Sequence, residues 1–308
     1  MRPKRNTLFA LAALALALPV LLLALAAATL YAMHTPDTPP TPRPYKTVQG
    51  HTLLLHITAP DTAQHPGPHP AILLLHGGGW QTGQPDQFFH LASDLAAQGV
   101  LAASAQYRLT NTHDSTPYDS LQDAADALRF LHQHADELNL DTTRIAAGGG
   151  SAGGHLAAAL ATTTAPDLLG LPPDATAEQL AALPRPAALV LFNPVIDNSP
   201  TGFGNQRLGD RWQDISPLHN LHPHMPPTVT FLGTADHLIP VATAEQFRDQ
   251  MTALNTHSEL HLYPDQPHGF FNYRLENQIL PNPLYTQTRD QTITFLQSLG
   301  WIQPNPTP

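Results

Sequence analysis

The chain has 308 residues, 42% of them hydrophobic, a composition that can bury the core of one α/β domain of about 250 residues. Its formal charge is −10, with no basic run beyond the N-terminus, so the sequence predicts no nucleic-acid partner. The absence of cysteine excludes disulfides, thiolate metal sites and a cysteine nucleophile. The 18 histidines are scattered without metal-ligand spacing, so no metal site is expected.

The N-terminal segment has the pattern of an export signal. A basic start, MRPKR, precedes an uncharged apolar stretch at residues 8–28, which reaches the ~20 residues that span a bilayer. An Ala-x-Ala sequence at 26–28 could instead be a cleavage site. We therefore expect residues 1–34 to be a signal peptide or an uncleaved membrane anchor, and the rest to be exported to the periplasm or beyond. Residues 35–46 are proline-rich and predict an extended linker.

From residue 47 to 302, short apolar runs alternate with helical patterns. This alternation is typical of strands joined by crossover helices in a mostly parallel sheet. Strands are predicted at 52–57, 71–76, 100–108, 144–150, 187–193, 227–233 and 258–264. Helices are predicted at 86–98, 119–138, 241–254 and 286–299, and in the alanine-rich segment that follows residue 151.

Two segments interrupt the alternation. Residues 166–186 contain only a short helical pattern between prolines. Residues 194–226 are too long for a simple connection, and long excursions in a compact domain are usually functional or disordered. Because this second segment contains Phe203 and Trp212, we expect it to pack as a small cap or pocket wall.

Ser151 lies within the sequence Gly-Gly-Ser-Ala-Gly, between a predicted strand and a predicted helix. This G-x-S-x-G pattern in a strand–turn–helix context is typical of a serine nucleophile on a sharp turn. A serine hydroxyl does not ionise alone and needs a neighbouring base. A glycine-rich turn before a helix can also bind a phosphate, but the lysine of the phosphate-binding loop pattern is missing here.

Three further features follow predicted strands, at the sheet edge where ligand chemistry gathers. The sequence His-Gly-Gly-Gly-Trp at 76–80 is suited to an oxyanion hole, because glycines leave backbone N–H groups free of side chains. Asp236 and His268 each follow a later strand, which places an acid and a base after the serine in chain order. His268 would accept the Ser151 proton, and Asp236 would orient the ring. Asp197, also just past a strand, is a rival acid.

These motifs together resemble the α/β-hydrolase superfamily. The sequences HGGGW, GGSAGG, GTADHLIP and HGFF are similar to those of the esterase and lipase group related to hormone-sensitive lipase and bacterial acetyl (xylan) esterases. The resemblance covers about residues 47–300. It implies an α/β-hydrolase catalytic domain with Ser151, Asp236 and His268 as the catalytic triad. It also implies an oxyanion hole formed by the N–H groups of Gly78, Gly79 and Ala152, without a cofactor.

The sequence thus predicts an exported serine hydrolase that cleaves short-chain carboxylic esters, such as acetyl groups on carbohydrate, through an acyl-enzyme. The substrate would be a small-molecule or polysaccharide ester, and residues 8–28 could hold the enzyme at a membrane. Two alternatives stay open. One is an amide hydrolase, either formamidase-like or peptidase-like, that uses the same triad. The other is a non-catalytic, membrane-tethered binding protein with the same fold.

Overall fold

The computed structural model describes residues 35–276 and 280–303. The strands, in chain order, are β1 (Thr41–Val48), β2 (His51–Thr58), β3 (His69–Leu75), β4 (Leu101–Ala105), β5 (Leu140–Gly150), β6 (Leu189–Phe192), β7 (Thr228–Gly233), β8 (Ser258–Tyr263), β9 (Leu275–Glu276) and β10 (Leu280–Pro281). The first eight form one sheet in the order β1-β2-β4-β3-β5-β6-β7-β8, and β9 pairs with β10 in a small separate ribbon. The predicted signal or anchor at 1–34 lies outside the described residues.

Helices connect and cover these strands. The α-helices are α1 (Phe89–Ala96), α2 (Thr110–His113), α3 (Pro117–Gln133), α4 (Ala135–Leu138), α5 (Ala152–Thr162), α6 (Ala177–Ala181), α7 (Asn205–Leu208), α8 (Val241–Ala253) and α9 (Pro283–Ser298). Short 3₁₀ turns occur at Pro85–Phe88, Pro166–Leu169, Gly209–Ile215 and Pro217–His219. Within the described ranges, the helices are too short or too polar to cross a bilayer.

The sheet is antiparallel at one edge and parallel elsewhere. Strand β2 pairs antiparallel with both β1 and β4, whereas β4, β3, β5, β6, β7 and β8 pair in parallel. Each predicted strand corresponds to one of β2 to β8, so the predicted α/β class with a mostly parallel sheet is confirmed. Because parallel strands end at the same edge, the loops after β3, β5, β6, β7 and β8 meet there.

Hydrophobic cores lie on both faces of the sheet. In β3, Leu73 and Leu75 face one core and Ile72 and Leu74 face the other, and all four are fully buried. Such a continuous apolar run is what a parallel strand covered on both faces requires. Helices α3, α5 and α8 contribute to the first core, and α1 and α9 contribute to the second. The sheet edge that carries the site is therefore held between two packed layers.

The prediction of an extended linker at 35–46 is wrong for residues 41–46, because these residues belong to β1. Pro42 and Pro44 lack an N–H group, but an edge strand needs ladder hydrogen bonds on one side only. The strand is also fixed by its side chains. Tyr45 Oη donates to the Gln106 carbonyl at 2.5 Å, and Lys46 Nζ lies 2.6 Å from an Asp123 carboxylate oxygen. Proline here marks an edge strand rather than a free spacer.

Candidate active site

Ser151 lies at the sharp turn between β5 and α5. Its backbone has φ 53° and ψ −116°, a left-handed conformation that is strained for any residue other than glycine. Hydrogen bonds hold this conformation: the Ser151 N–H donates to the Phe192 carbonyl at 2.9 Å, and the Ser151 carbonyl accepts from the N–H of Val195 at 3.2 Å. The strained turn directs the serine hydroxyl beyond the edge of the sheet.

The glycines around Ser151 are required by close backbone approach. A Cβ on Gly149 would lie 2.4 Å from the Leu75 carbonyl oxygen, and a Cβ on Gly153 would lie 1.9 Å from the same atom. Helix α5 therefore starts directly against the end of β3, which only glycine permits. This packing brings the loop that follows β3 to the nucleophile turn.

The structure brings the three predicted triad residues together. His268 Nε2 lies 2.9 Å from Ser151 Oγ, and His268 Nδ1 lies 2.7 Å from Asp236 Oδ2. These side chains come from the loops after β5, β7 and β8. The Asp236 side chain is fully buried, and that of His268 is 18% exposed. The ring is thus held by a buried carboxylate on one side and offered to the serine on the other.

Asp236 is kept as a carboxylate by its surroundings. Burial by itself would raise the pKa of this carboxyl group, but hydrogen bonds from His268 and from the N–H groups of Ile239 and Leu238 outweigh it and hold the pKa below its ordinary value. The rival acid lies elsewhere. Asp197 accepts from the Ser199 N–H at 2.8 Å and lies 3.9 Å from Nδ1 of a different histidine, His219.

The glycine loop after β3 lies against the serine. A Cβ on Gly77 would be 3.4 Å from Ser151 Cβ. Both Gly78 and Gly79 have positive φ, at 122° and 62°. Within residues 35–276 and 280–303, the N–H groups of these two glycines have no protein acceptor, whereas the Gly77 N–H donates to Gln87. Ala152 is the first residue of α5, so its N–H has no partner within the helix.

The excursion at 194–226 forms a wall beside this loop, as predicted. Phe203 packs 6.1 Å from the fully buried Trp80 between ring centroids, and Arg207 Nη1 donates to the Gly79 carbonyl at 3.0 Å. Behind the wall, the His155 ring meets Trp80 edge-on at 5.0 Å, and its Nε2 bonds the Ile215 carbonyl at 2.9 Å. Burial lowers the pKa of His155 to about 4, so this ring is neutral.

Sequence reasoning missed three amide side chains at the site. Asn193 is fully buried and lies 3.3 Å through Nδ2 from His268 Nε2. Gln87 and Asn272 hydrogen-bond each other at 2.8 Å, between the glycine loop and the histidine loop. A signal existed only for Asn193, which directly follows β6 at the same sheet edge as Asp236.

Two family models match the chain. Residues 55–183 match the model described as BD-FAE, and residues 212–291 match the dienelactone hydrolase family. The first match contains the glycine loop and Ser151, and the second contains Asp236 and His268. Together they contain the glycine loop and the three residues of the predicted triad.

Named relatives are esterases. Carboxylesterase NlhH of Mycobacterium tuberculosis is 30% identical over 230 residues, which are 67% of this chain and 68% of that protein. Ethyl acetate hydrolase of Pseudomonas putida is 30% identical over 233 residues, with 69% and 67% covered. The native structure of esterase 2 from Thermogutta terrifontis superimposes with a TM-score of 0.77 at 31% identity, covering 89% of this chain and 98% of that one.

Similarity to esterases of this fold over two thirds or more of the chain accompanies the sheet order and the arrangement around Ser151. Such similarity supports a small-molecule ester as the substrate class. The chain therefore belongs to the α/β-hydrolase superfamily, in the esterase group related to hormone-sensitive lipase, and is a serine hydrolase of carboxylic esters.

Proposed function

We propose that the chain is an exported esterase that hydrolyses short-chain esters through an acyl-enzyme on Ser151. The observation that carries this proposal is the continuous hydrogen-bonded chain from Ser151 Oγ through the His268 ring to Asp236. The Nδ1–H group of His268 donates to Asp236, so Nε2 is left with a lone pair that faces the serine hydroxyl. This is the arrangement that a general base requires.

In the first half of the reaction, Ser151 Oγ attacks the ester carbonyl while its proton moves to His268 Nε2. The protonated ring then gives this proton to the oxygen of the leaving alcohol, and the acyl group stays on Ser151. In the second half, His268 takes a proton from water as the hydroxide attacks the acyl-enzyme, and the protonated ring then returns a proton to Ser151 Oγ as the acid leaves. Asp236 keeps its charge throughout and stabilises the imidazolium that forms twice in each cycle.

The oxyanion hole is assigned to the N–H groups of Gly78, Gly79 and Ala152. The glycine loop lies against Ser151, and these N–H groups are not committed to acceptors within the described part of the protein. They are suited to hold the negative charge that develops on the carbonyl oxygen. One such donor stabilises the transition state by about 3–4 kcal/mol.

A preference for short acyl groups is supported by the relatives and by the wall at 194–226. One relative is named for the hydrolysis of ethyl acetate, and esterase 2 of Thermogutta terrifontis has been solved with propionate bound. In the described residues, the wall at 194–226 consists of short turns, with the exposed Arg207 beside Gly79, rather than a long apolar lid. A polar rim suits acetyl esters of soluble or polymeric alcohols, and we propose acetylated carbohydrate as the alcohol side.

Export is supported by the sequence of the first 34 residues. The basic start followed by the apolar stretch at 8–28 favours delivery across a membrane, with the catalytic domain on the outer side. If the segment is not cleaved, it would tether the enzyme to the membrane. Signal processing is tested by the N-terminal sequence and mass of the mature protein recovered from an expressing cell.

Esterase activity is tested with matched variants and matched substrates. Hydrolysis of p-nitrophenyl acetate is measured for the wild type, for Ser151→Ala and for Ser298→Ala, a control that removes the hydroxyl of an exposed serine on α9. We expect Ser151→Ala alone to lose activity. Activity should fall from acetyl to decanoyl esters, and p-nitroacetanilide should react far more slowly than the ester. An amide rate that equals or exceeds the ester rate would contradict the proposal.

A further inference from the structure

Asn193 occupies a position that only a few residue types can fill. It follows β6 directly, is fully buried and has φ 34°, in the left-handed region that favours glycine and asparagine. Its backbone N–H donates to the Phe231 carbonyl at 2.7 Å, which fixes it between β6 and β7. The side chain is therefore held in one direction by the backbone.

The Asn193 amide contacts the histidine loop at two points. Its Oδ1 accepts from the Gly269 N–H at 2.9 Å, and its Nδ2 lies 3.3 Å from His268 Nε2. Because His268 Nδ1–H donates to Asp236, Nε2 is an acceptor, and the Asn193 Nδ2–H group shares it with the Ser151 hydroxyl as the longer of the two contacts. The same nitrogen is 2.9 Å from Ser151 Oγ. One buried amide thus fixes both the loop backbone and the reacting nitrogen of the ring.

The hydrogen bonds continue to the glycine loop. Asn272 Nδ2 donates to the Gly269 carbonyl at 2.9 Å, and Gln87 Nε2 donates to Asn272 Oδ1 at 2.8 Å. Finally, the Gly77 N–H donates to Gln87 Oε1 at 2.6 Å. In this series of hydrogen bonds each side-chain amide oxygen accepts and each side-chain amide nitrogen donates, so the assigned orientations of the three amide groups agree with one another.

We propose that Asn193, Asn272 and Gln87 form an amide relay that holds the histidine loop in register with the oxyanion loop, with Asn193 as the positioning residue of His268. This inference rests on the proposed function of the triad. The relay keeps Nε2 directed at Ser151, and the Asn193 contact favours the neutral ring while the enzyme waits for substrate. When the Ser151 proton reaches Nε2, this nitrogen becomes a donor and its contact with Asn193 is released.

The first test replaces the donor without changing its shape. In Asn193→Asp, the contact with Gly269 is kept, but the new carboxylate faces His268 Nε2. The ring then lies between two carboxylates, because Asp236 already bonds Nδ1 and is the charged group hydrogen-bonded to the ring in the described residues. A second carboxylate favours the protonated ring. We expect the acid limb of kcat/KM to move upward by about one pH unit or more, and kcat at neutral pH to fall about tenfold, with KM within about twofold of the wild type.

The second test enters the relay at its other end, so that it does not depend on the folding of the Asn193 variant. Gln87→Met keeps the size of the side chain but breaks the contacts with Gly77 and Asn272. We expect kcat to fall about fivefold. In the double variant that combines Asn193→Asp with Gln87→Met, kcat should fall by less than the product of the two single fold-losses, because both changes break one network. Gln98→Met, a glutamine after α1 outside the relay, should behave as the wild type.

These results separate the relay from the triad. An inactive wild type, or an active Ser151→Ala, would overturn the proposed function itself. If instead Ser151→Ala is inactive while folded Asn193→Asp and Gln87→Met keep the wild-type kcat and pH profile, the triad stands and the relay is wrong. Thermal unfolding of each variant shows whether it is folded at the assay temperature. Losses in Asn193→Asp and Gln87→Met that multiply in the double variant would also contradict a connected relay.

Discussion

Asp236 and Asp197 both follow strands, but only Asp236 reaches His268. The loop after β7 delivers the carboxylate to Nδ1 of the ring at 2.7 Å, and two backbone N–H groups of the same loop bond the other carboxylate oxygen. Asp197 is instead committed to the Ser199 N–H near His219. The contacts therefore assign different roles to two residues that look equivalent in the sequence.

The two acids can be distinguished by matched amide variants. We expect Asp236→Asn to lower kcat by about 10⁴-fold, because the amide no longer holds the ring in the tautomer that accepts from Ser151. Asp197→Asn should keep kcat within about threefold, since it contacts no triad residue. The measurement is steady-state hydrolysis of p-nitrophenyl acetate by both variants. Full activity in Asp236→Asn, with loss in Asp197→Asn, would reverse the assignment.

Among individual residues, sequence motifs predict the three triad residues but not the amide side chains that support them. Ser151, Asp236 and His268 follow from the G-x-S-x-G pattern, from strand ends and from chain order. Asn272 and Gln87 have no such signal, and Asn193 has only its place at a strand end, because a neutral amide acquires its role only through partners far away in sequence. The Gln87–Asn272 contact joins residues 185 positions apart.

The junction of β3, β5 and α5 is the element on which the site depends. Helix α5 begins so close to the end of β3 that a Cβ on Gly153 would meet backbone oxygens of Leu75 and His76 at 1.9 and 2.4 Å. Backbone atoms of a central strand cannot move aside as a flexible side chain can. The position of Ser151 relative to the oxyanion loop is thus set by the packing of a helix on a strand.

Adding one methyl group to this junction tests that dependence. We expect Gly153→Ala to lower the free energy of unfolding by about 3 kcal/mol, at the upper end for overpacking, because the contact is with backbone. Urea unfolding measures the change. The control is Gly300→Ala, which has open space around its Cβ but a positive φ of 73°, and should lose only about 1–2 kcal/mol. Equal losses would show that the close approach is not limiting.

Element boundaries show where sequence patterns succeed. Strands β3 and β7 are buried along their whole length, and the sequence predicts their bounds to within two residues. Strand β1 was missed, because Pro42 and Pro44 resemble a linker, although both are tolerated at a sheet edge. The excursion at 194–226 was predicted as a wall from its length and aromatic residues. Its short turns have no periodicity from which bounds could be derived.

Across the whole molecule, buried histidines link stability to pH. Among residues 35–276 and 280–303, burial is the largest cause of a lowered pKa in six histidines, which are His56, His69, His76, His113, His132 and His155. For His76 and His155 the pKa falls from the ordinary value of 6.5 to about 4. Composition alone did not predict this, since scattered histidines in a sequence are typical of solvated loops.

The direction of the effect follows from proton binding. Between pH 6.5 and about 4, His76 and His155 bind protons in the unfolded chain but stay neutral in the folded protein, where they are buried. Acidification in this range therefore favours unfolding. These two groups together give a slope of at most about 3 kcal/mol per pH unit in this window. The contribution of these two neutral rings to the free energy of unfolding is fully present above pH 6.5 and is lost as the pH falls toward 4.

Urea unfolding at about pH 7.5, 6 and 5 measures this loss. We expect the midpoint to fall steadily below about pH 6.5, with a shallower fall in His155→Asn, which removes one titrating ring but leaves His76 in place. The variant is compared with the wild type by its slope against pH, since its stability at pH 7.5 also changes for packing reasons. A midpoint that stays constant from pH 7.5 to 5 would show that the buried histidines do not link stability to pH.

The proposed mechanism requires that Ser151 forms a covalent acyl-enzyme. Rapid mixing with p-nitrophenyl acetate, followed by acid quenching and peptide mass analysis, tests it most directly. We predict a burst of about one p-nitrophenol per protein molecule when deacylation is slow, with the mass of an acetyl group on the peptide that contains Ser151. Asp236→Asn should slow this acetylation, and Ser151→Ala should abolish it. Turnover that persists in Ser151→Ala, or acetyl found on another residue, would contradict the claim.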